Sequence, residues 1–397
     1  LTLEFDFLFV MLLVMKISLE LPKVLGLLDI ASRFVSKNST LPILQNIYLK
    51  ASIDSLLIRA TDMEKYIEIE LPCAVQLEGS ITVNAKMFLD ILKTIESNTV
   101  EFSVNQQTSI MTIKTTKDTF DINGISASEY VALPEVPQEN SFMLDTTIFS
   151  KGTEKVEYAI TEKSFSPILT GMLMKSKTEW DQHKIIFVGT DSFRLSEYKT
   201  LNTNTNDFSL VIPKVAITDV KYLVNYAIDK EVPEMLIKYS DNLVAFELNV
   251  EGVKIVATSL LIQGNFPEYE REEVMPTQFV TKIMLDKKDC ENAIKKIWIL
   301  TRDTNNFIQI ETQGTKVILS SGKTDKGAGI TELPAIIDGE ALTFGINGRY
   351  VTDFIRMMSS DTLIFNLVNG QKPLVLMDKD DDANRYVVRP LTLGTAS

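Results

Sequence analysis

Basic residues recur in pairs, seven residues apart, at three places in the chain. The pairs are Lys86 with Lys93, Lys214 with Lys221, and Arg349 with Arg356. Seven residues are nearly two turns of an α-helix, so both members of a pair point to the same side. Lysine and arginine are the usual partners of phosphate oxygens. The spacing therefore predicts three helix faces that could contact a polyanion.

Each pair lies in the same local pattern, a short apolar strand that runs into an amphipathic helix, at residues 83–93, 212–221 and 346–356. Apolar side chains at helical spacing predict which side is buried. They are Phe88, Leu89, Ile91, Leu92 and Ile95 in the first segment, and Val351, Phe354, Ile355 and Met358 in the third. An ordinary solvated face explains one pair alone, whereas recurrence at three equivalent places favours a shared role.

Gly322-Lys323-Thr324 invites a nucleotide-binding interpretation. A phosphate-binding loop needs a further glycine five residues before Gly322, and Val317 occupies that position. The segment also lies between predicted strands rather than before a helix. We therefore interpret it as a glycine-rich hairpin, and an enzyme that uses a nucleotide here remains the alternative.

The run Asp378-Lys379-Asp380-Asp381-Asp382 begins like a calcium-binding loop. Ala383 stands at the sixth position, where glycine is required, and Arg389 at the twelfth, where glutamate is required. We expect a solvated acidic turn before the last strand.

Metal and thiol chemistry have little support in the residue types. Cys73 and Cys290 form neither a disulfide framework nor a metal-ligand spacing, and we expect both to be buried. His183 is the single histidine and is expected in a polar turn. The sequence therefore predicts no cofactor, no metal site and no catalytic residue.

Composition sets the broad class. The chain has 397 residues, enough for two or three domains, and a formal net charge of −13. An acidic total argues against indiscriminate nucleic-acid binding but allows a local basic stripe. Residues 1–14 are apolar apart from Glu4 and Asp6 and lack a basic segment. We expect them to be an extension outside the fold of a cytoplasmic protein without a membrane span.

The repeat also predicts the domain organisation. Strand–helix openings are expected at residues 17–36, 142–161 and 283–301, and Thr61-Asp62 recurs 129 residues later as Thr190-Asp191. Proline-bearing linkers at 133–137 and 266–269 mark strand ends. We predict similar domains at 15–140, 141–276 and 277–397. Each is α+β, with two helices on one face of antiparallel sheets.

Several motifs together resemble one protein family. They are Thr40-Leu41-Pro42-Ile43-Leu44-Gln45-Asn46, Thr61-Asp62-Met63-Glu64, Thr190-Asp191-Ser192-Phe193-Arg194-Leu195, Phe266-Pro267-Glu268-Tyr269 and Tyr386-Val387-Val388-Arg389-Pro390-Leu391. Their order and spacing over residues 15–393 resemble the bacterial DNA polymerase III beta subunit, the replicative sliding clamp.

The resemblance implies the DNA-clamp fold, in which three tandem domains form half of a ring. Two subunits would join head to tail around double-stranded DNA without reading its sequence. The ring would act as a non-catalytic processivity factor in DNA replication. Its partners would be the replicative polymerase catalytic subunit, the clamp loader, and other polymerases and repair proteins. A repeat-built interaction protein that never encircles DNA is the remaining alternative.

The resemblance also implies three groups of site residues. Lys37 would join the helix pairs in facing DNA, although it is equally explained as a routine exposed lysine. The partner-peptide pocket would comprise Leu169, Thr190, Ser192, Arg194, Leu195, Pro267, Arg271, Val274, Val387, Val388, Pro390 and Leu391. The dimer joint would comprise Phe120, Ile122, Ile299 and Leu300, for which a place in the core is the alternative.

This chain departs from the family pattern at the pocket. Ser192-Phe193 stands where the family commonly has Gly-His, and Arg389 stands where it has Met. The segment 270–273 carries extra residues, which bears on the placement of Arg271 and Val274. These departures affect which peptides would bind.

Overall fold

The computed structural model describes residues 15–179, 181–202 and 206–393. The expected extension, residues 1–14, lies outside these ranges. Within them the fold is α+β, and the strands pair antiparallel. The helices of the described chain are α1 (Leu21–Ala31), α2 (Ala85–Thr94), α3 (Thr146–Glu157), α4 (Lys214–Asp229), α5 (Lys287–Thr301) and α6 (Gly348–Met357).

The strands follow in three groups. The first is β1 (Met15–Glu20), β2 (Asn46–Ser52), β3 (Ser55–Thr61), β4 (Lys65–Pro72), β5 (Val75–Leu77), β6 (Gly79–Asn84), β7 (Thr99–Asn105), β8 (Ile110–Lys114) and β9 (Thr119–Ile125). The second is β10 (Asn140–Asp145), β11 (Gly171–Glu179), β12 (Gln182–Thr190), β13 (Arg194–Leu201), β14 (Phe208–Pro213), β15 (Glu234–Tyr239), β16 (Leu243–Val250) and β17 (Val253–Leu260). The third is β18 (Thr281–Asp286), β19 (Phe307–Gln313), β20 (Lys316–Ser320), β21 (Ile330–Pro334), β22 (Ile336–Gly339), β23 (Thr343–Asn347), β24 (Thr362–Leu367), β25 (Leu374–Asp378) and β26 (Asp381–Val388).

The same order of elements recurs three times along the chain. β1 leads into α1, β10 into α3 and β18 into α5, which confirms the predicted strand–helix openings. After further strands, β6, β14 and β23 lead into α2, α4 and α6. These second helices carry the three cation pairs, so each predicted pair does lie on one helix.

Side-chain caps explain where several of these helices begin. The Asn84 side chain accepts a hydrogen bond from the Met87 amide at the start of α2, and Asn347 accepts one from the Arg349 amide at the start of α6. Asp286 caps α5 in the same way through the Asp289 amide. Each cap satisfies an amide that has no carbonyl partner in the first helical turn.

One compact unit contains residues from 15 to Ser150 together with Val215–Leu261. Its described strands form a single sheet of thirteen, in the order β10-β15-β16-β17-β4-β3-β2-β6-β9-β8-β7-β1-β5. α1 and α2 pack against each other. Phe88 of α2 is fully buried and meets the edge of Phe102 with ring centroids 5.4 Å apart.

The second compact unit contains Lys151–Lys214 and the chain from Ile262 to residue 393. Its described strands form a nine-stranded sheet, β14-β11-β12-β13-β26-β25-β24-β18-β22, and a four-stranded sheet, β21-β20-β19-β23. One face of β26 contributes Tyr386 and Val388 to a large core that also contains Phe354. Val387, between them, contributes to a smaller core on the other face with Leu195.

The Gly322-Lys323-Thr324 segment is a hairpin, as predicted. It connects β20 and β21, which pair antiparallel, and Thr324 forms a bridge with Gly327 inside the turn. No helix begins there, so its amide groups do not form the cradle that a phosphate-binding loop requires.

The predicted acidic turn before the last strand is present at residues 379–380, between β25 and β26, but it is only partly solvated. Asp378 is 2% exposed and Asp381 is 8% exposed. The Asp378 carboxylate accepts hydrogen bonds from the Ser359 and Ser360 amides, and Asp381 pairs with Lys155 at 3.0 Å. Burial is possible because each carboxylate has hydrogen-bonding partners. Among the described residues no acidic, histidine and cysteine cluster could hold a metal ion.

The cysteines and the histidine differ partly from expectation. Cys290 is buried, which raises the pKa of its thiol to about 12, whereas Cys73 is only half-buried. His183 lies in β12 rather than in the turn before it. None of the helices in the described ranges combines the length and apolar character that a membrane crossing requires.

Candidate functional site

An open pocket of about 470 Å³ lies in the second compact unit, beside the smaller core. Its apolar wall includes Leu169, Leu195 and Val387, each less than a tenth exposed. Phe193, which is 56% exposed, projects at the side of the pocket. Apolar concave sites with a few polar groups are typical of ligand and peptide pockets.

Two antiparallel strands and the turn before β13 position this wall. Leu195 of β13 pairs with Val387 of β26. The Thr190 hydroxyl donates to the Arg194 carbonyl at 2.7 Å, and the Asp191 carboxylate accepts from the Phe193 and Arg194 amides. Ser192 in this turn has a φ of 75°, a conformation that glycine adopts more readily.

Arg194 is held by carboxylates beside the pocket. Its guanidinium pairs with Asp191 at 2.9 Å and with Asp353 of α6 at 2.6 Å. Burial alone lowers the pKa of an arginine, but Tyr386 and the two carboxylates outweigh it, and the pKa of Arg194 is raised. The side chain is therefore a fixed positive group whose hydrogen-bonding capacity is largely used within the protein.

Tyr269 adds a buried polar contact to the pocket lining. It is 3% exposed, and its hydroxyl donates to the Glu197 carboxylate at 2.8 Å. Burial, followed by the negative charge of Glu197, raises the pKa of this hydroxyl well above its ordinary value. Tyr269 is thus a neutral hydrogen-bond donor that holds the linker between β17 and β18 against the sheet.

Most of the predicted pocket residues come together here. The lining includes Leu169, Thr190, Ser192, Arg194, Leu195, Pro267, Val274 and Val387.

Four predicted residues lie elsewhere. Val388 points into the large core, because successive strand residues face opposite sides of a sheet. The exposed Arg271 pairs with Glu268, and the Leu391 amide donates to the Gly345 carbonyl at 2.8 Å. Pro390 is half-buried outside the lining.

The lining also contains residues that the sequence did not assign to the pocket: Phe193, Glu268, Tyr269, Glu273, Gln371, Lys372, Pro373 and Arg389. Leu374 pairs with Val388, so residues 372–373 come next to residue 389 at the end of the ladder. Recognising this hairpin register would have identified Lys372 and Pro373. Arg389 was noted only as a departure from the family pattern.

A second candidate surface is a groove of about 470 Å³ in the first compact unit. Lys37, Lys86 and Lys93 all line it, although Lys37 is distant from the other two in sequence. Asp29 and Asp90 line the same groove. Lys86 pairs with Asp90 at 2.6 Å, and Lys93 pairs with Asp29 at 2.8 Å.

These pairings moderate the positive charge of the groove. The hydrogen bond with Asp29 raises the pKa of Lys93. Burial alone raises the pKa of Asp29, but hydrogen bonds from Lys93 and Tyr222 outweigh it and lower that pKa. Both groups therefore stay charged at neutral pH, and a phosphate would have to compete with the carboxylates.

The remaining predicted cations lie on two other helices. On α4, Lys221 is half-buried and the Lys214 ammonium donates to the Ile160 carbonyl at 3.0 Å. Both side chains on α6 are exposed, and Arg356 lies 3.5 Å from Asp353 of the same helix.

The four predicted joint residues differ in exposure. Ile299 on α5 is 67% exposed, which is unusual for a large apolar side chain on a helix. Leu300 and Phe120 are half-buried. Ile122 is 4% exposed and belongs to the core of its own unit.

Models of the N-terminal, central and C-terminal domains of the DNA polymerase III beta subunit match residues 15–134, 143–268 and 272–392. The chain belongs to the DNA polymerase III beta subunit family. Members of this family are non-catalytic accessory subunits of DNA polymerase III, so the chain is a clamp subunit and not an enzyme. Its fold is that of three tandem clamp domains.

Curated relatives carry the name beta sliding clamp. Those of Staphylococcus epidermidis and Staphylococcus aureus are each 26% identical over 370 residues, which covers 90% of this chain and 94% of the relative. The beta clamp chain and these relatives therefore correspond over nearly their whole lengths.

Solved structures have the same fold. The beta subunit from Thermotoga maritima superposes with a TM-score of 0.88 at 20% identity, covering 96% of this chain and 100% of that one. The sliding clamp from Bacillus subtilis gives 0.85 at 23% identity, covering 96% and 99%. A sliding clamp from Pseudomonas aeruginosa, solved with griselimycin bound, gives 0.87 at 20%, covering 96% and 100%.

Proposed function

We propose that two copies of this beta clamp chain join head to tail into a ring around double-stranded DNA in the cytoplasm. The ring holds the replicative polymerase catalytic subunit on its template and binds the clamp loader, other polymerases and repair proteins. The observation that carries the proposal is a pairing of two strands from consecutive segments, a strand joint, that occurs twice within the chain. One further strand of each of the two kinds has an edge that is unpaired among the described residues.

The first joint lies in the first compact unit. β4, from the N-terminal matched segment, pairs with β17, the last strand of the central segment. In the second compact unit, β13 of the central segment pairs with β26, the last strand of the C-terminal segment. Both joints therefore link the same two kinds of strand from consecutive segments.

The third pair of edges is unmatched. β21 corresponds to β4 and β13, and its outer edge has no strand partner among the described residues. β9 is the last strand of the N-terminal segment; from Thr119 to Asn123 it pairs only with β8 in the described chain. Unpaired edges favour addition of another strand. Pairing of β21 with β9 of a second copy would repeat the joint and place Phe120 and Ile122 at it.

The candidate DNA contacts are Lys37, Lys86, Lys93, Lys214, Lys221, Arg349 and Arg356. Phosphate contacts carry no sequence information, so they suit a ring that must move along DNA. The carboxylates beside Lys86 and Lys93 would keep each contact weak, and closure of the ring would keep it on the template. The net charge of −13 would disfavour DNA binding to the outer surface.

The pocket beside Leu169 and Leu195 would bind a short peptide from each partner protein. Its apolar wall suits one or two large apolar anchors, while Lys372, Arg389 and Glu273 offer charged groups at the side. Griselimycin-bound clamps from Pseudomonas aeruginosa and Bartonella birtlesii have the same fold as this chain, which supports ligand binding by the fold.

A loading assay tests the function. The protein is loaded onto a nicked circular plasmid with a bacterial clamp loader and ATP, and retention is followed by gel filtration before and after the plasmid is cut once. We expect retention on the circle and loss from the linear product, because a closed ring can leave only over an end. Equal retention on both forms would indicate ordinary DNA binding, and the absence of retention on either would indicate a protein that does not encircle DNA.

A further inference from the structure

The two strand joints within the chain each contain the same arrangement of ion pairs, which we call a latch. In a latch, a cation from the turn of one segment binds an aspartate on the second helix of the next segment. In the first latch, Lys65 pairs with Asp219 of α4 at 2.7 Å and with Asp62 of its own turn at 3.3 Å. The Lys65 ammonium also donates to the Arg33 carbonyl at 2.6 Å. The Lys65 side chain is only 6% exposed.

The second latch repeats these contacts. Arg194 pairs with Asp353 of α6 at 2.6 Å and with Asp191 of its own turn at 2.9 Å. Its guanidinium also donates to the Tyr158 carbonyl at 2.8 Å, and its side chain is 11% exposed. Each latch is therefore a buried cation with two carboxylates and one carbonyl.

The aspartate of each latch occupies the same position on its helix. Asp219 and Asp353 come six residues after the last residue of the preceding strand, Pro213 or Asn347. In the first segment, the residue six after Asn84 is Asp90. Among the described residues, no turn of a preceding segment supplies a cation to Asp90.

Asp90 is correspondingly uncovered. Its side chain is 59% exposed and, among the described residues, forms an ion pair only with Lys86 of its own helix, whereas the side chains of Asp219 and Asp353 are 12% and 14% exposed. Ile91, which the sequence pattern placed on the buried side of α2, is only half-buried.

The apolar neighbours of Asp90 are uncovered as well. Met87 is 40% exposed, while Ala216 at the same position of α4 is 2% exposed. Val220 and Phe354, the equivalents of Ile91, are each 1% exposed. The face around Asp90 is thus the surface that a preceding segment covers on α4 and α6.

The corresponding turn of the third segment, which we call the third turn, spans residues 321–329 between β20 and β21, and among the described residues it binds no aspartate of a following second helix. The amide of its first residue, Ser321, donates to the Gly329 carbonyl at 3.0 Å, as Asp62 does to Lys65 and Asp191 to Arg194. Gly329 therefore stands at the position of the latch cations but has no side chain.

The third turn is longer than the other two, and its cations lie at positions other than that of the latch cations. Lys326 is already paired with Asp303. Lys323 is exposed and makes no ion pair with any described residue. Ile330, directly after the turn, is 73% exposed.

We propose that Asp90 of one copy binds Lys323 of the second copy, with Ile330 of that copy packed on Met87 and Ile91. This contact would be the latch of the intersubunit joint. It assigns a partner to the Gly322-Lys323-Thr324 hairpin, and it rests on the head-to-tail dimer proposed above. Three observations select a second copy as the occupant. They are the complementary charges, the exposed apolar side chains on both surfaces, and the two filled latches within the chain.

The test uses the full chain with Asp90→Lys, Lys323→Glu, or both. Dimerisation is measured by sedimentation velocity over a range of concentrations. Each single change is expected to weaken the dimer at least tenfold, since a desolvated charge pair becomes a repulsive one. Circular dichroism should be unchanged, because both side chains are exposed in the single chain.

Mixing the two single variants is the decisive measurement. In a mixed dimer, one joint combines the introduced lysine with the introduced glutamate and the other keeps Asp90 with Lys323, so both joints are matched. The mixture and the double variant should recover dimerisation to within about threefold of the unmodified protein. A mixture of Asp90→Lys with Lys326→Glu is the control: Lys326→Glu keeps Asp90 and Lys323 and should dimerise with itself, but it should recruit Asp90→Lys into mixed dimers far less than Lys323→Glu does.

The outcomes separate this inference from the proposed function. Asp90→Lys and Lys323→Glu variants that each dimerise as well as the unmodified protein, or recruitment of Asp90→Lys into dimers by Lys326→Glu as well as by Lys323→Glu, would overturn the Asp90–Lys323 contact and leave the ring intact. An unmodified protein that is monomeric at every concentration and cannot be retained on circles would overturn the ring and the latch together.

Discussion

At the scale of single residues, Phe193 offers a direct measure of pocket function. Its side chain lines the pocket yet is 56% exposed, so its removal should leave folding intact. For Phe193→Ala we expect roughly tenfold weaker binding of a peptide ending in Leu-Phe, because an aromatic contact surface is lost. Isothermal titration calorimetry measures the affinity.

Phe165 provides the matched control, since it is also exposed but lies outside the pocket lining. Phe165→Ala should bind the peptide as the unmodified protein does. Equal affinities for all three proteins would show that the peptide does not use this pocket wall.

Asp378 gives the protein a specific acid sensitivity. Burial alone raises the pKa of its carboxyl, but hydrogen bonds from Ser360 and Ser359 outweigh it and lower the pKa to about 2. A carboxyl with a depressed pKa stabilises the fold above its unfolded pKa of 3.8, and this stabilisation is lost as the pH falls through about 2.

We therefore expect Asp378→Asn to reduce the free energy of unfolding by about 2 kcal/mol at pH 7 and by much less near pH 2. Urea unfolding at a series of pH values measures the difference between the two proteins. A difference that stays constant between pH 7 and pH 2 would contradict the role of the ionised carboxylate.

At the scale of elements, the latches hold strands and helices of consecutive segments together. In the first latch the Lys65 ammonium is buried, and Asp219 also lies 3.7 Å from Arg33. The Arg33 guanidinium stacks 3.6 Å from the centre of the Tyr222 ring on α4. Charge and packing therefore act on the same contact between α4 and the N-terminal segment.

Asp219→Asn should destabilise the protein by about 2–4 kcal/mol, because Lys65 loses its closest carboxylate while remaining buried. Chemical denaturation measures the change. Glu251→Gln is the control, since it removes only the exposed pair with Lys230 and should cost less than about 1 kcal/mol. Similar costs for the two variants would mean that the buried pair adds no particular stability.

At the scale of the whole molecule, Ile299 tests whether two copies form the proposed ring. The side chain is 67% exposed in the single chain, so a charge is compatible with the folded subunit. We expect Ile299→Asp to give a folded monomer that is not retained on circular DNA, since the charge would be buried at the joint. Sedimentation velocity and the loading assay provide the two measurements.

Ile336 is the matched control, because it is an isoleucine that is 65% exposed but is not among the predicted joint residues. Ile336→Asp should remain dimeric and load normally. If Ile299→Asp were dimeric as well, the joint would not include this face of α5.

Local sequence determined the elements of this protein. Asn84 and Asn347 mark helix starts because their side chains satisfy free amides, and the heptad spacing of Arg349 and Arg356 follows from helical geometry. The hairpin at Gly322-Lys323-Thr324 and the strand–helix openings were likewise predictable. Each depends on interactions between residues near one another in the chain.

Tertiary structure decided which of these residues share a site. Only strand pairing shows that Val387 faces the pocket while Val388 faces the large core, or that residues 372–373 adjoin Arg389. Ile91 fits the apolar stripe of α2 but is left half-buried, and Asp378 lies in an acidic run but is buried. The physical reason is that burial and ion pairing depend on which distant segment covers a residue, and local periodicity contains no information about that segment.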